Sequence, residues 1–504
     1  MCTRSRRSFP FLLLLFFLVA LIRGEEGETD ERATEDRVRD FYGAFPYPGK
    51  DVTDFQDAEY SSPPFYPFMF PESINHYLYG GTKDFGAAPF NILIAGVGQG
   101  NDLLALALLF SNYSSVQITG IDINPSSLDI LLQRIERYTN IFPLANIQSR
   151  VKVQELSVLD LDPDIHGLYD FVLASGVLHH MESPASGLHA LRRVMRPGGG
   201  ILLMVYGKIG RTHVYQMQDM LRILQRGGDS RGSTEADVHV ELKRGLEMYK
   251  SLMPLLPVTN WFRRGGADYI FGSDGATVDG VLHVRDVAYT VPELFDWVRG
   301  AGLDIVEFAT PERYKYKAVI NTPELSTAGL NEEDRFAWNE LFYGDISQHA
   351  FFASSLPRAV ASASVRNLDC IMSFFMLQRD DVLAALRESG SESGSERLTV
   401  TLTNLTLVRN IGQIRFTIPS ILTLKVPVEP IIREVLVRID GLASTREIFA
   451  AARSALRVTL SDFEILAAFE PVYNQLMLVD YILLHRPAVN KEAMLNVLGS
   501  NRLT

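Results

Sequence analysis

The feature that most constrains the fold is a short apolar run that ends in a glycine-rich turn and continues into a helical pattern. It reads NILIAGVGQGNDLLALA over residues 91–107. A strand, a glycine turn and a helix in this order are typical of a βα unit that binds a nucleotide-like ligand. Asn101 stands where a dinucleotide fingerprint requires its third glycine, and no lysine follows as in a P-loop. An NAD-dependent oxidoreductase is therefore only a weak alternative.

Five short apolar runs alternate with helical patterns up to Tyr206, which predicts βαβ units and a parallel sheet. The second run ends in Asp122, and an acid at this strand end can accept hydrogen bonds from both hydroxyls of an adenosine ribose. The same acid could cap the following helix, and the two roles are compatible. We predict an α/β fold with a doubly wound sheet. The predicted strands are Ile92–Ala95, Val116–Ile121, Val151–Gln154, Phe171–Ala174 and Ile201–Val205.

Three further segments complete the pattern: LSVLDLD after the third strand, SGVLHHMESP after the fourth, and RPGGG before the fifth. With the glycine turn and Asp122, they resemble the class I S-adenosylmethionine-dependent methyltransferases over residues 90–206. The resemblance implies a Rossmann-like sheet, S-adenosyl-L-methionine as co-substrate, and methyl transfer to an acceptor. It also implies a set of cofactor-binding residues: Gly96, Gly98, Gly100, Asp122, Ile123, Ser157, Val158, Leu159, Ser175 and Gly176.

Two positions depart from the family pattern. Ile94 stands where the family often has an acid two residues before the first glycine, and Ser157 replaces the acid that faces the adenine. Recognition of the amino groups of the cofactor then depends on backbone carbonyls or on Asp102. These departures favour a second hypothesis, in which a methyltransferase-like domain binds ligands or partners without catalysis.

The loop after the fourth strand contains the candidate catalytic residue. Methyl transfer from a sulfonium needs mainly positioning, and it needs a base only when the acceptor loses a proton. His179 is the candidate base, and a structural hydrogen bond to the backbone is the alternative role. The pair His179 and His180 near Glu182 lacks the spacing of helical metal ligands, so no metal is predicted.

The aromatic segment FYGAFPYP resembles a segment that folds over the cofactor as a lid in some bacterial methyltransferases. Tyr42 and Tyr47 belong to it, and packing of an N-terminal arm is the alternative. The acidic stretch before it, to about Glu35, is expected to lack a fixed structure. A glycine-rich loop is expected over Gly265–Gly280.

Three residues after the fifth strand are candidates for the acceptor pocket by analogy with the same bacterial enzymes. They are His283, Asp286 and Tyr289. Capping of the helix predicted to begin at Val291 is the alternative role for these polar residues.

The first residues combine three arginines with an unbroken apolar run, Phe11–Ile22, which predicts a signal peptide over residues 1–24. An uncleaved membrane anchor is the alternative. The acidic segment that follows disfavours an organellar transit peptide. We therefore predict a protein of the secretory pathway, either in the endoplasmic reticulum lumen or secreted. Sequons at Asn112 and Asn404 weakly support a glycoprotein.

The composition of one short segment predicts a boundary between two domains. The segment ESGSESGSE, residues 388–396, is too polar to bury a core and predicts a linker. It separates a methyltransferase domain over residues 36–380, with its core at 90–206, from an accessory domain over residues 397–504. The accessory domain is predicted to be mostly helical and similar to a winged helix, with a docking or regulatory role by analogy.

The formal charge of the 504-residue chain is −12, which disfavours nucleic acid as a partner because phosphate binding needs clustered Lys and Arg. A small molecule or a protein is then the expected methyl acceptor. The sequence does not constrain the oligomeric state.

Overall fold

The structure is a computed structural model with side chains. It describes residues 31–45, 66–227, 238–265, 274–315, 329–357, 362–376, 379–388, 398–403, 407–411, 414–418, 423–477 and 482–486. The predicted leader, Tyr47 and Asn404 lie outside these ranges. Within them, no helix is both long enough and apolar enough to cross a membrane.

Eight strands form the central sheet. They are β1 Phe90–Ala95, β2 Val116–Asp122, β3 Val151–Glu155, β4 Tyr169–Ser175, β5 Met195–Gly207, β6 Ala288–Tyr289, β7 Asp304–Phe308 and β8 Gln348–Ser354. Their order is β3-β2-β1-β4-β5-β8-β7, with β6 beside β5. The pairs among β1 to β6 are parallel, whereas β8 is antiparallel to β5 and β7. The strand order reverses between β1 and β4, as predicted for a doubly wound sheet, and ligands bind beside such a reversal.

Fourteen described helices belong to the part of the chain before residue 345. They are α1 at residues 31–44, α2 Pro71–Leu78, α3 Asn101–Leu109, α4 Pro125–Ile141, α5 Ile147–Arg150, α6 Pro163–His166, α7 Pro184–Arg193, α8 Thr212–Gly227, α9 Val238–Leu252, α10 Trp261–Gly265, α11 Asp274–Leu282, α12 Val291–Gly300, α13 Pro311–Lys315 and α14 Glu332–Tyr343. Helix α12 is the helix predicted to begin at Val291, and Thr290 and Glu293 form a capping box at its start.

Two of these helices correct the expectations from sequence. Helix α1 begins within the acidic stretch that was expected to lack structure, and α11 lies within the expected glycine-rich loop. The reason is shared burial. Phe41 of α1 packs with Val278 and Val281 of α11 in one hydrophobic cluster, together with residues of α8 and α9. Local composition did not indicate this tertiary contact.

The two faces of the sheet are both buried, as expected for parallel strands covered by helices. Successive side chains of β1 point to opposite faces. Ile92 and Ile94 join one hydrophobic cluster, and Leu93 and Ala95 join another. Ile94, the position where an acid was expected from the family pattern, is therefore a core residue that is 2% exposed.

The remaining elements lie beyond residue 370. They are β9 Ile371–Phe374, α15 Arg379–Glu388, β10 Leu398–Thr403, β11 Leu407–Ile411, β12 Ile414–Ile418, β13 Thr423–Val428, α16 Pro430–Arg438, α17 Thr445–Leu456, α18 Asp462–Met477 and β14 Ile482–His485. Helices thus dominate residues 430–477, as predicted, and antiparallel strand pairs precede them.

Contacts cross the predicted linker. Strand β9, on its N-terminal side, pairs antiparallel with β14 near the end of the described chain. Side chains of α16, α17 and α18 belong to the same hydrophobic cluster as one face of the central sheet. The division at residues 388–396 stays a prediction, and residues 371–374 pack with the C-terminal elements.

Candidate functional site

A cavity of about 1450 Å³ lies at the carboxyl ends of the parallel strands, beside the reversal of strand order. We call one part the glycine side; it contains Gly96, Gly98, Gly100 and Asp122, which follow β1 and end β2. We call the other part the histidine side; it contains Tyr42, His180, Tyr206, Arg211 and Asp279. Both sides line the same cavity, and α1 contributes to its wall.

The three glycines of the turn have left-handed backbone conformations, with φ of 64° at Gly96, 51° at Gly98 and 84° at Gly100. A Cβ on Gly96 would lie 2.2 Å from a methyl of Val177, and one on Gly100 would lie 2.1 Å from a methyl of Leu131. A Cβ on Gly98 would meet no protein atom within 4 Å. Two glycines thus permit close packing of the protein, while the open space at Gly98 allows a ligand to approach the backbone.

Asp122 is held by the backbone around it. Its Oδ2 accepts a hydrogen bond from the N–H of Gly98 at 2.7 Å, and its Oδ1 accepts one from Asn124 at 2.9 Å. Burial raises the pKa of Asp122, and hydrogen bonds from the backbone of Asn124, Gly98 and Ile123 oppose that shift. A carboxylate has about four acceptor positions. Both oxygens can therefore still accept hydrogen bonds from a diol.

Two polar side chains beside the turn, those of Gln99 and Asp102, line the cavity. Gln99 is 2% exposed, and neither atom of its amide group has a hydrogen-bond partner within the described ranges. Burial alone raises the pKa of the Asp102 carboxyl to about 6. Buried polar groups are normally hydrogen-bonded. An amide and an acid that line a cavity in this way fit a ligand with a carboxylate and an ammonium group.

The loop after β3 binds α1. Ser157 does not line the cavity, and its hydroxyl donates a short hydrogen bond to Glu35. Glu35 is 8% exposed and does line the cavity. Next to it, Arg32 pairs with Asp160. The acid that the sequence lacks at position 157 is thus present nearby, but it comes from α1.

His180 is the histidine that faces the cavity. Its Nδ1 donates a hydrogen bond to the carbonyl of Arg285 at 2.8 Å, so Nε2 of the neutral ring carries a lone pair. Burial, together with the positive charge of Arg211 and against the hydrogen bond to Arg285, lowers the pKa of His180 to about 4. The ring is therefore neutral near pH 7, and the lone pair on Nε2 can accept a hydrogen bond from a bound group.

The other polar groups of the histidine side form a buried network. The Tyr42 hydroxyl donates to Asp279 at 2.8 Å, and burial raises the pKa of the Asp279 carboxyl to about 6. Arg211 forms a buried ion pair with Asp286 at 3.1 Å. Its guanidinium carbon also lies 3.6 Å from the centre of the Tyr206 ring.

His179, the predicted base, is fully buried and does not line the cavity. Its ring stacks on Tyr206, with centroids 3.9 Å apart, and neither ring nitrogen has a partner within the described part of the chain. The geometry favours its neighbour His180 as the residue that can reach a substrate.

His180, Asp279 and His283 bring three possible metal ligands within 4.8 Å of one another. The backbone N–H of Arg285 donates to Nδ1 of His283 at 3.1 Å, which leaves the ring proton on Nε2. The rings of His180 and His283 stack with centroids 3.6 Å apart. Nδ1 of His283 thus accepts a hydrogen bond and Nε2 bears the proton, so neither ring nitrogen offers a free lone pair to a metal ion in this tautomer.

Comparison with known proteins identifies the domain that contains the glycine side. Residues 93–201 match a family model described as a methyltransferase domain. An uncharacterised protein of Synechococcus is 27% identical over 326 residues, which are 64% of this chain and 72% of that protein. The ubiquinone biosynthesis O-methyltransferase of Alkalilimnicola ehrlichii is 24% identical over 138 residues. This match covers 27% of the chain and about half, 51%, of that enzyme.

Two solved structures show the same fold. They are PKMT2 from Rickettsia typhi, with a TM-score of 0.56 and 15% identity, and its complex with AdoHcy, with a TM-score of 0.53 and 14% identity. Both comparisons cover 84% of this chain, and 77% and 76% of the respective structures. Residues 93–201 are therefore described as a methyltransferase domain, and the chain shares the fold of these two structures.

Most residues that the resemblance implied surround the cavity of the methyltransferase domain. Ile123, Val158, Ser175 and Gly176 line it, together with the glycines and Asp122. Ser157 and Leu159 lie behind the wall, where the hydroxyl of Ser157 accepts a hydrogen bond from the N–H of Leu159 at 3.0 Å. The cofactor contacts themselves stay predictions.

The three acceptor-pocket candidates support the methyltransferase cavity from outside. Asp286 pairs with Arg211, and His283 packs against Phe41, with ring centroids 4.4 Å apart. Tyr289 stacks on Trp297. None of the three lines the cavity in the described part of the chain.

Among the cavity residues that the sequence did not predict are Glu35, His180, Arg211 and Asp279. His180 adjoins the predicted base, and its exposure to the cavity is set by the turn Leu178–His180. The other three carry no motif. Only the packing of α1, α8 and α11 brings them to the methyltransferase site.

Proposed function

We propose that this protein transfers the methyl group of S-adenosylmethionine to a small-molecule acceptor bound on the histidine side of the cavity. The observation that supports this most directly is the continuity of the cavity: Gly98 and Asp122 line it together with His180 and Asp279. Donor and acceptor can therefore meet without a change in the fold, and holding two reactants together supplies much of the catalysis of a displacement reaction.

The glycine side offers a complementary group for each part of the donor. Asp122 can accept hydrogen bonds from the ribose hydroxyls, Asp102 can pair with the ammonium of the methionine part, and Gln99 can donate to its carboxylate. When bound, S-adenosylmethionine supplies a methyl group activated by a sulfonium. The open backbone at Gly98 lets the ligand lie against the turn.

On the histidine side, His180 is the proposed base. Nε2 of the neutral ring can take the proton that an acceptor hydroxyl or amine loses as the new bond to the methyl carbon forms. Asp279, held by Tyr42, can accept a hydrogen bond from the same acceptor and orient it.

As methyl acceptor, a small molecule suits the histidine side of the cavity better than a protein side chain. The cavity of about 1450 Å³ exceeds the roughly 300–1,000 Å³ of a pocket for one ligand. It thus has room for the donor and one further small compound. Arg211 and His180 on the histidine side are 0% and 5% exposed, which favours an acceptor that is itself enclosed.

The alternative of a non-catalytic domain rested on the absence of acids at Ile94 and Ser157. Glu35 and Asp102 weaken that argument, because two acids line the glycine side from other positions. The position of Ile94 in the core explains why no acid stands there.

Calorimetry of the full chain with S-adenosylmethionine tests the donor. We expect binding, and we expect Asp122→Ala to weaken it by at least ~1.5 kcal/mol, the low end for hydrogen bonds to a charged group. An absence of binding would overturn the proposal.

Incubation with methyl-tritiated S-adenosylmethionine and an extract of the source cells tests the acceptor. We expect label in the small-molecule fraction, and less label with Asp122→Ala. Label confined to acid-precipitable protein would contradict a small-molecule acceptor, although not methyl transfer.

A further inference from the structure

We propose that Glu35 of α1 recognises the adenine ring of the methyl donor and makes the site selective for a 6-amino purine. The inference rests on the proposed binding of S-adenosylmethionine. It assigns a specificity-determining role to a residue that lies about sixty residues before the glycine turn, outside the matched methyltransferase region of residues 93–201.

The covalent order of the donor fixes where its adenine must lie. The sulfonium has to face the acceptor, which places it toward the histidine side and the ends of β4 and β5. The ribose is bonded next to the sulfonium arm, and Asp122 at the end of β2 is the carboxylate that suits its diol. The adenine, attached to the far side of the ribose, then extends toward β3, the next strand in the sheet.

The cavity wall beyond Asp122 has the composition that a purine ring requires. Ile123, Leu156 and Val158 line it and offer apolar surface for the faces of the ring. Glu35 lies at this wall, because the residue after Leu156 is Ser157, whose hydroxyl donates to Oε1 of Glu35. An apolar slot with an acid at its edge fits a flat base whose edge carries an N–H donor.

The Glu35 carboxylate has a fixed orientation and spare acceptor capacity. Ser157 binds Oε1, and Arg32 lies 3.3 Å from Oε2. Each oxygen has two lone pairs, so one more hydrogen bond from a 6-amino group can be accepted. A 6-oxo purine presents a carbonyl oxygen at that position. It would oppose the carboxylate with a second acceptor, and Glu35 would then disfavour it.

A purely structural role predicts a different result. If Glu35 only fastens α1 to the loop after β3, its loss would loosen the wall and weaken every nucleoside ligand equally. The ratio of affinities for 6-amino and 6-oxo ligands separates the two roles, because loosening of α1 leaves that ratio unchanged.

The experiment is calorimetric titration of the full chain with S-adenosylhomocysteine and with its 6-oxo analogue, S-inosylhomocysteine. We expect the wild-type protein to bind the adenosyl compound at least about tenfold more tightly, as for loss of a hydrogen bond to a charged group. In Glu35→Gln this ratio should fall to near one, because the amide can donate to a 6-oxo group. Asp36→Asn, which neutralises a neighbouring acid of α1 that does not line the cavity, should keep the wild-type ratio.

A wild-type ratio in Glu35→Gln, or an equal loss of affinity for both ligands, would overturn the inference. If the wild-type protein bound neither compound, the donor assignment itself would fail, and this inference with it. Thermal unfolding of each variant verifies the fold. Should Glu35→Gln not fold, Ser157→Ala removes the hydroxyl that orients Glu35 and should lower the ratio by about threefold. An unchanged ratio in that variant would contradict the role.

Discussion

The two sides of the cavity differ in the groups that line them, which are mostly backbone groups on one side and side chains on the other. The glycine side is mostly backbone: three left-handed glycines, and an acid held by the N–H groups of Gly98 and Asn124. The histidine side is made of side chains held by other side chains or by the backbone: Tyr42 donates to Asp279, Asp286 pairs with Arg211, and the carbonyl of Arg285 binds His180. A backbone site depends on little more than local conformation, whereas a site of buried charges depends on every partner being present. Substitutions should therefore have larger effects on the histidine side.

Replacement of His180 should give the largest effect on activity. His180→Gln removes the proposed base, and we expect the rate of methyl transfer to fall by about 10²- to 10⁴-fold, the usual contribution of a general base. Binding of S-adenosylhomocysteine should remain. His179→Gln is the matched control, because His179 is adjacent but does not line the cavity. A variant of His180 that retains near wild-type turnover would exclude it as the base.

Loss of the buried ion pair between Arg211 and Asp286 should reduce the free energy of unfolding more than loss of an exposed ion pair. The side chains of Arg211 and Asp286 are 1% and 6% exposed, so Arg211→Met leaves a buried carboxylate without its partner. We expect a loss of about 3–5 kcal/mol in the free energy of unfolding, measured by urea denaturation. Adding Asp286→Asn should restore part of the loss.

The comparison is the exposed ion pair between Arg32 of α1 and Asp160 of the loop after β3, whose side chains are 46% and 43% exposed. Arg32→Met should cost less than about 1 kcal/mol of unfolding free energy. Equal losses for the two arginines would contradict the expected difference between a buried and an exposed ion pair.

Stability should fall as the pH is lowered from about 6.5 to about 4. Burial lowers the pKa of His180 to about 4 and the pKa values of His179 and His283 well below their usual value. Unfolded histidine titrates near pH 6.5, so in this window the unfolded chain binds more protons than the folded chain. Asp102 and Asp279 have the opposite effect on stability. Burial raises the pKa of each carboxyl to about 6, so at lower pH the folded chain binds their protons more readily than the unfolded chain does.

The contribution of His180 to the pH dependence of stability can be measured by comparing the wild-type protein with a His180 variant. Between pH 7 and 4.5 we expect the wild-type protein to lose about 2–3 kcal/mol more unfolding free energy than His180→Gln. Urea denaturation at both values gives the difference, whatever the stability of the variant at pH 7. His189→Gln, at an exposed position of α7, should behave like wild type. Parallel pH dependence in all three proteins would exclude a neutral, buried His180.

The same difference explains why the glycine side could be predicted from the sequence and the histidine side could not. Gly98 and Asp122 follow consecutive strands of one βα pattern, so their proximity could be predicted from the order of strands alone. Asp279 and Tyr42 meet across 237 residues, through helices that local composition did not predict. Ser157 was interpreted as a lost acid, because nothing in the sequence connects it with Glu35, 122 residues earlier. The positions of such residues depend on how α1 and α11 pack in the tertiary structure, and no local sequence pattern indicates that packing.

A substitution in the glycine turn tests whether the ligand lies against its backbone. Gly98→Ala keeps the N–H that binds Asp122, but it adds a Cβ in the space open to the ligand. Gly302→Ala is the matched control, since Gly302 also has a positive φ, 70°, and no protein atom near its Cβ position, yet it does not line the cavity. Both variants should lose about 1–2 kcal/mol of stability through the left-handed conformation.

Only Gly98→Ala should also weaken the binding of S-adenosylhomocysteine, by at least about tenfold, or 1.4 kcal/mol, in calorimetry. The reason is steric, because the ligand can approach a backbone without a Cβ more closely than one with it. If both variants bound the ligand as wild type does, the donor would not lie against the turn, and the glycines would serve only the packing of Val177 and Leu131.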